Sequence, residues 1–263
     1  MTAALLFALT LWWGATQALL WGARLAPAWV LNLVALGCAL IALGGAHHTA
    51  SMTGTVAAYA GISAGLCLWA AVEMVFLTGA VLGFHRPARL DTLAERATSA
   101  FCAIAFHEAV LLVALASLAL LQWGSLNPAA LSVFALLYIM RASAKLNLFL
   151  GVRNLCIEFL PPRVRHLAHH FRRAPTERPI NPLFPFSVIG GSLATAFLLR
   201  QGLDPEAGVT LATTSLVCAV LAALGTLEHW LMVTPLSPQA LWSVEPTSSV
   251  ASRHLERIQK AYN

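Results

Sequence analysis

VAAYAGISAGLCLWAAVEMVFLTGAVLGF, residues 56–84, is an apolar stretch that contains a single charged residue, Glu73. The hydrocarbon core of a bilayer is about 30 Å thick, and an α-helix that rises about 1.5 Å per residue crosses it in about 20 residues. The stretch is therefore long enough to span a membrane, and we predict that it forms a transmembrane helix.

Six further stretches have the same character, and the shortest of them is the sixth along the chain. They cover residues 3–23, 28–46, 97–123, 129–152, 183–199 and 208–233. The whole chain of 263 residues is 59% hydrophobic and 10% charged, whereas soluble domains average about 45–50% and about 25%. This composition excludes a soluble domain, a disordered chain and a nucleic-acid-binding protein. We predict an all-α, polytopic transmembrane helix bundle of about seven spans.

The charges between the spans predict the orientation of the bundle. In a seven-span arrangement, one side of the membrane receives a single basic residue, Arg200. The other side receives Arg24, Arg86, Arg89, Arg96, Arg153, Arg163, Arg165, Arg172, Arg173, Arg178, Arg253, Arg257 and Lys260. Basic loops favour the cytoplasmic face. We therefore expect an external N-terminus and a cytoplasmic C-terminus.

The predicted organisation is a membrane domain over residues 1–234 and a cytoplasmic C-terminal tail over residues 235–263. The membrane domain includes a polar cytoplasmic loop, residues 153–182, which begins a helix near Pro161 and Pro162. In this loop the apolar residues recur with helical spacing at Val164, Leu167, Ala168 and Phe171. The predicted basic surface contains Arg163, Arg165, His166, His170, Arg172 and Arg173.

Such an amphipathic helix suits an anionic membrane surface or a docking partner. His166 and His170, one turn apart, are also spaced to ligate a metal, but no acidic residue or cysteine nearby completes such a site. The cationic surface is therefore the favoured interpretation.

Glycines in the third stretch have the spacing of a close helix contact. Gly61 and Gly65, and then Gly79 and Gly83, each form a GxxxG pattern, which lets helices approach closely. We expect these ridges to serve packing within the chain rather than a dimer interface.

Five ionisable residues fall inside predicted spans, on four different helices. They are Glu73, Glu108, Arg141, Lys145 and Glu228, with His107, His229 and Asn147 close to them in sequence. Charges at membrane depth are unfavourable by at least about 2.5–3.5 kcal/mol each and normally face partners. Three interpretations follow: a packing network, a ligand site in which His107 or His229 binds a metal ion or a chlorin magnesium, or a path for protons or ions.

Enzyme motifs find little support in these spans. His107-Glu108 begins like the zinc-protease pattern HExxH, but Leu111 stands where the second histidine is needed. The Glu-x-x-His pairs of di-iron bundles are also missing from the sequence around Glu73, Glu108 and Glu228. We therefore assign no catalytic residue and favour a protein that is not an enzyme.

Several blocks of sequence together resemble one family. They are RASAKLNLFLGVRNL at 141–155, NPLFPFSV at 181–188, LEHWLMVTPLSPQALW at 227–242, EMVFLTG at 73–79 and His107-Glu108. In these blocks the chain resembles the photosynthetic complex assembly protein 2 family, the PuhE type of purple phototrophic bacteria. The resemblance runs through most of the chain and is most specific from Arg141 to Trp242.

The resemblance implies a multi-pass inner-membrane protein that assists assembly of the photosynthetic reaction centre and light-harvesting complex. The implied partners are subunits of these complexes or their assembly factors. We expect the polar cluster to hold a partner helix or to ligate bacteriochlorophyll transiently through His107 or His229. The alternatives are a membrane enzyme or regulator of bacteriochlorophyll synthesis and a proton-linked transporter. The family supplies no catalytic residues to transfer, and Arg153 and Ile157 depart from its pattern.

Overall fold

The computed structural model of this chain describes residues 2–83, 93–154, 160–168 and 180–234. Within these ranges it contains seven long helices and no β-strand. They are α1 (Thr2–Leu25), α2 (Ala28–Thr49), α3 (Thr55–Thr78), α4 (Leu93–Leu121), α5 (Ala129–Leu150), α6 (Phe184–Leu203) and α7 (Val209–Val233). All seven are long and apolar enough to cross a membrane, which confirms the predicted fold class.

Two helix ends differ from the prediction and correct it. α3 ends at Thr78 because Gly79 adopts a left-handed conformation (φ 84°) and its N–H bonds to the carbonyl of Phe76 at 2.9 Å. The predicted ridge of Gly79 and Gly83 is therefore wrong, since neither residue lies in a helix. α6 continues to Leu203, so Arg200 lies in its last turn and not in the predicted loop.

We call the end of the bundle that contains Thr2, Ala129 and Val209 the outer end, following the predicted orientation, and the opposite end the inner end. Two clusters of buried apolar side chains join the helices toward the outer end. One joins the four helices α2, α3, α4 and α5 around Leu68, Leu111 and Phe134. The other joins α1, α3, α5 and α7 around Ile62 and Val217. α3 takes part in both clusters and thus lies at the centre of the bundle.

The glycines of α3 pack within the chain. A Cβ atom on Gly65 would lie 2.5 Å from the carbonyl oxygen of Ala130, and one on Gly61 would lie 3.1 Å from the Cβ of Ala129. The absence of side chains at these two positions lets α3 approach the first turn of α5.

A buried amide fixes the outer end. The Asn127 side chain donates hydrogen bonds to the carbonyls of Thr49 (3.2 Å) and Ala57 (2.8 Å), and its oxygen accepts one from the Ala129 N–H. Gln122 donates to the Asn127 carbonyl and accepts from the Leu131 N–H. The bonds to Thr49, Ala129 and Leu131 satisfy terminal backbone groups of α2 and α5 that would otherwise be unpaired, and the bond to Ala57 ties the first turn of α3 to them.

The inner loop differs from the predicted membrane-surface helix over the residues that the structure describes. Residues 165–167 form a 3-10 turn. Val164 and Leu167 are buried against Phe76 and Ala103 of α3 and α4, and Ala168 is also buried. The predicted lipid-facing apolar side is therefore wrong at these positions, because these residues pack on the bundle.

The predicted basic surface changes as well. Arg163 donates hydrogen bonds to the carbonyls of Ala23 (3.0 Å) and Ala26 (3.2 Å) at the inner end of α1, and Arg165 bonds to the Leu160 carbonyl at 3.5 Å. His166 also lies in the described loop. The predicted residues His170, Phe171, Arg172 and Arg173, and the tail at 235–263, lie outside the described residues.

The orientation stays a prediction, and reporter fusions can test it. A reporter that is active only outside the cytoplasm should be active when fused after Trp123, and inactive when fused after Arg163, because basic loops remain in the cytoplasm. A fluorescent reporter that matures only in the cytoplasm should give the opposite pattern at the two positions. Reversed signals would contradict the orientation.

Candidate functional site

Ion pairs between described residues join α3 and α4 to α5. Arg141 on α5 donates a hydrogen bond to Glu73 on α3 across 3.4 Å. One turn further along α5, the Lys145 ammonium contacts Glu108 on α4 at 2.5 Å. The structure thus brings four predicted residues of three helices into neighbouring pairs of opposite charge.

The two pairs differ in how well they are sheltered. The side chains of Lys145 and Glu108 are 17% and 15% exposed, whereas the Arg141 side chain is 45% exposed. The bond of Arg141 is also longer than a typical charge-assisted hydrogen bond of about 2.7–2.9 Å. The Lys145–Glu108 pair is therefore the tighter of the two.

His107 lies beside the first pair and is completely buried. Its Nε2 atom is 3.8 Å from Glu73 Oε1, which is too long for a hydrogen bond, and its ring packs on Phe76 with centroids 4.3 Å apart. Among the residues that the structure describes, neither ring nitrogen nor Glu73 Oε1 has a hydrogen-bond partner. Such buried unpaired atoms are unusual in native proteins and mark this contact as a candidate binding site.

Helical geometry explains why consecutive residues reach different partners. His107 and Glu108 are about 100° apart around α4, so His107 approaches Glu73 on α3 while Glu108 reaches Lys145 on α5. Arg141 and Lys145 are four residues apart and share one face of α5. This face supplies both cations.

A second network, built from amide, hydroxyl and imidazole groups, lies near the inner end and contains two other predicted residues, Asn147 and His229. His229 Nδ1 lies 2.7 Å from the Gly225 carbonyl, and its Nε2 lies 3.0 Å from the Ser143 hydroxyl. Asn147 donates to the Ser187 hydroxyl at 2.8 Å, and the hydroxyls of Ser143 and Ser187 share a bond of 2.9 Å. Because a carbonyl can only accept, Nδ1 of His229 carries hydrogen.

Asn181 extends this network to the start of α6. Its side-chain nitrogen donates to Asn147 Oδ1 (3.2 Å) and to the Gly151 carbonyl (3.1 Å), and its oxygen accepts from the N–H groups of Leu183 and Phe184. The network therefore joins α5, α6 and α7 through satisfied polar groups.

Glu228 lies apart from both networks. Its Oε1 accepts a hydrogen bond of 3.1 Å from the Trp12 indole of α1, and the side chain is exposed. Arg141 is near enough to attract Glu228 electrostatically, but within the described residues the Arg141 hydrogen bond goes to Glu73. The predicted cluster is thus divided among two ion pairs, a network of amide, hydroxyl and imidazole groups, and one carboxylate beside an indole.

Sequence reasoning did not identify four residues that the structure adds: Ser143, Ser187, Asn181 and Trp12. Asn181 and Ser187 lie in the block that carries the resemblance, and Ser143 shares a face of α5 with Asn147. Short polar residues in apolar helices commonly bond to their own backbone. Their sequence positions alone therefore gave no sign of a network.

The two candidate ligand histidines differ in their suitability for a magnesium or metal ion. Both nitrogens of His229 take part in hydrogen bonds, so this ring does not fit an axial ligand role as it stands. Neither nitrogen of His107 is paired with a described residue, but the side chain is 0% exposed, and a ligand reaches it only if α4 separates from α3. Among the described residues, no three His, Cys, Asp or Glu side chains are grouped to hold one metal ion.

Seven helices that are long and apolar enough to cross a membrane, three of them joined by pairs of oppositely charged side chains, define a polytopic α-helical membrane protein. The chain belongs to the family described as "Protein of unknown function (DUF3623)", which matches residues 1–251.

A relative from Rhodobacter capsulatus is similar along most of its length. It is described as an uncharacterized 30.4 kDa protein in the puhA 5' region, and it is 36% identical over 244 residues. The match covers 88% of this chain and 86% of the relative. No solved structure matches the chain.

Proposed function

We propose that this protein is an integral membrane assembly factor for the bacterial photosynthetic reaction centre and light-harvesting complex. The observation that carries the proposal is the 36% identity, over 88% of this chain, with the protein in the puhA 5' region. The resemblance to the photosynthetic complex assembly protein 2 family supports the same role. The membrane is then the bacterial inner membrane, either cytoplasmic or intracytoplasmic, and the partners are lipids and subunits of these complexes or their assembly factors.

The ion pairs support a role in holding helices rather than in chemistry. Glu73 and Glu108 each face a cation on α5, and each carboxylate is thereby stabilised in place. A partly buried pair of this kind fixes which helix faces meet. We propose that the pairs hold α3, α4 and α5 in the arrangement that presents the bundle to its partners.

The proposed role does not depend on a resident pigment. Bacteriochlorophyll would supply light absorption if it were bound, and the candidate ligand on this chain is the imidazole of His107. Glu73, 3.8 Å from that ring, would orient it, as carboxylates orient ligating histidines elsewhere. His229 is the less suitable candidate because both of its nitrogens are bonded.

Purification of the full-length protein from a phototrophic host in mild detergent tests the proposal. We expect reaction-centre or light-harvesting subunits, or other assembly factors, to co-purify in amounts that a membrane protein of unrelated function does not retain. Absence of all these proteins would contradict the assembly role. Accumulation of a defined bacteriochlorophyll precursor on gene deletion would favour the enzyme or regulator instead, and proton flux in proteoliposomes that Glu73→Gln abolishes would favour the transporter.

A further inference from the structure

The intramembrane charges do not balance, and the excess can be assigned to one residue. The helical interiors contain three carboxylates, Glu73, Glu108 and Glu228, and two cations, Arg141 and Lys145. Glu73 is paired with Arg141, and Glu108 is paired with Lys145. Glu228 is left with the neutral indole of Trp12 at 3.1 Å, and it makes no ion pair with a described residue.

Glu228 also lies where a partner can reach it. It is exposed on α7 and lies five residues before Val233, so it is about 7.5 Å from the inner end of the helix. α7 has 25 residues and is about 37 Å long, longer than a hydrocarbon core of about 30 Å. With α7 centred on this layer, Glu228 lies a few ångströms inside it, within reach of a long basic side chain that extends toward the interface.

An unpaired carboxylate at this depth is unfavourable by a few kcal/mol, unless a cation or a proton neutralises it. The ammonium group of a phospholipid is a poor neutraliser here, because its own phosphate comes with it and repels the carboxylate. A lysine or arginine on a neighbouring membrane helix brings no such anion. Charge complementarity therefore favours a protein partner over lipid.

We propose that Glu228 is the contact point for a partner transmembrane helix that carries a lysine or arginine within about two turns of its inner end. The partner helix lies against the surface where α1 and α7 meet, beside Trp12. The proposal rests on the assembly function, since it specifies the chemistry of the partner that such a factor binds. It also explains why Glu228, the carboxylate in excess over the two cations, is exposed on the surface of the bundle.

Photo-crosslinking in native membranes tests this contact. A photoreactive residue in place of Leu224, which is partly exposed and lies one turn from Glu228 on the same face of α7, should cross-link to a protein whose labelled membrane helix contains a basic residue near its inner end. Glu228→Gln should lower the yield about tenfold and Glu228→Lys still further, because a desolvated charge pair is lost or becomes repulsive. Glu228→Asp should keep most of the yield, and Glu206→Gln in the loop between α6 and α7 is the matched control.

Labelling of lipid alone, a labelled helix without a basic residue, or an unchanged yield in Glu228→Gln would overturn the proposal. The last outcome would indicate that Glu228 acts in its protonated form, which glutamine imitates. The yields are compared at equal amounts of membrane-inserted variant, measured by immunoblot. If the labelled helix has the basic residue but belongs to neither a photosynthetic complex nor one of its assembly factors, the assembly function fails while the helix contact stands.

Discussion

Replacing Lys145 with methionine should destabilise the protein by about 3 kcal/mol, because the replacement leaves Glu108 without its cation. The two side chains are largely sheltered, at 17% and 15% exposure. Without Lys145, the carboxylate must remain ionised in an apolar setting or take up a proton, and both states are less stable than the pair. Glu108→Gln should have a similar effect by leaving the ammonium unpaired.

The double variant Glu108→Gln with Lys145→Met distinguishes pairing from general damage. Its loss of stability should be clearly smaller than the sum of the two single losses, because neither charge is left alone. The matched pair Glu73→Gln and Arg141→Met should show a weaker coupling, since Arg141 is 45% exposed and its bond to Glu73 is 3.4 Å long. Unfolding in mixed micelles gives these values, and additive losses at Glu108 and Lys145 would contradict the pair.

The second large effect is expected at Gly65. Its Cα faces the backbone of Ala130, and an added Cβ would lie 2.5 Å from the Ala130 carbonyl oxygen. Because backbone atoms cannot rotate away, Gly65→Ala should force α3 and α5 apart and lower the free energy of unfolding by about 1–3 kcal/mol, and Gly65→Val by more.

Gly44→Ala on α2 is the control for Gly65→Ala. A Cβ added at Gly44 would meet no neighbouring atom within 4 Å, so this change should be neutral or stabilising through helix propensity. Thermal unfolding in detergent compares the two variants. Equal midpoints for Gly65→Ala and the unmodified protein would show that the close approach of α3 and α5 is not needed.

The helices could be predicted from sequence because the span length depends on a single physical quantity, the thickness of the apolar layer. All seven predicted stretches coincide with helices. The errors lie at the helix ends, because the backbone conformation of single residues decides where a helix stops. Gly79 ends α3 by adopting φ 84°. The apolar stretch continues beyond Gly79, so a prediction from apolarity alone placed the helix end too late.

The candidate site was less predictable, because sequence shows which residues are polar but not which partners they meet. Spacing placed Arg141 and Lys145 on one face, and the structure places both in ion pairs. Asn147 and His229 belong to a separate network, since Ser143, Ser187 and Asn181 meet them from α5 and from the start of α6. Such pairings depend on how α5, α6 and α7 are packed, and no pattern within one helix contains that information.

The assembly function is tested most directly by the near-infrared absorption of intact cells. Rhodobacter capsulatus lacking its 36% identical relative would be complemented with this chain or with its Lys145→Met variant. We expect the deletion to lower reaction-centre and light-harvesting absorption, this chain to restore it, and Lys145→Met to restore it poorly. Unchanged absorption after the deletion, with both complexes at normal levels, would contradict the assembly function.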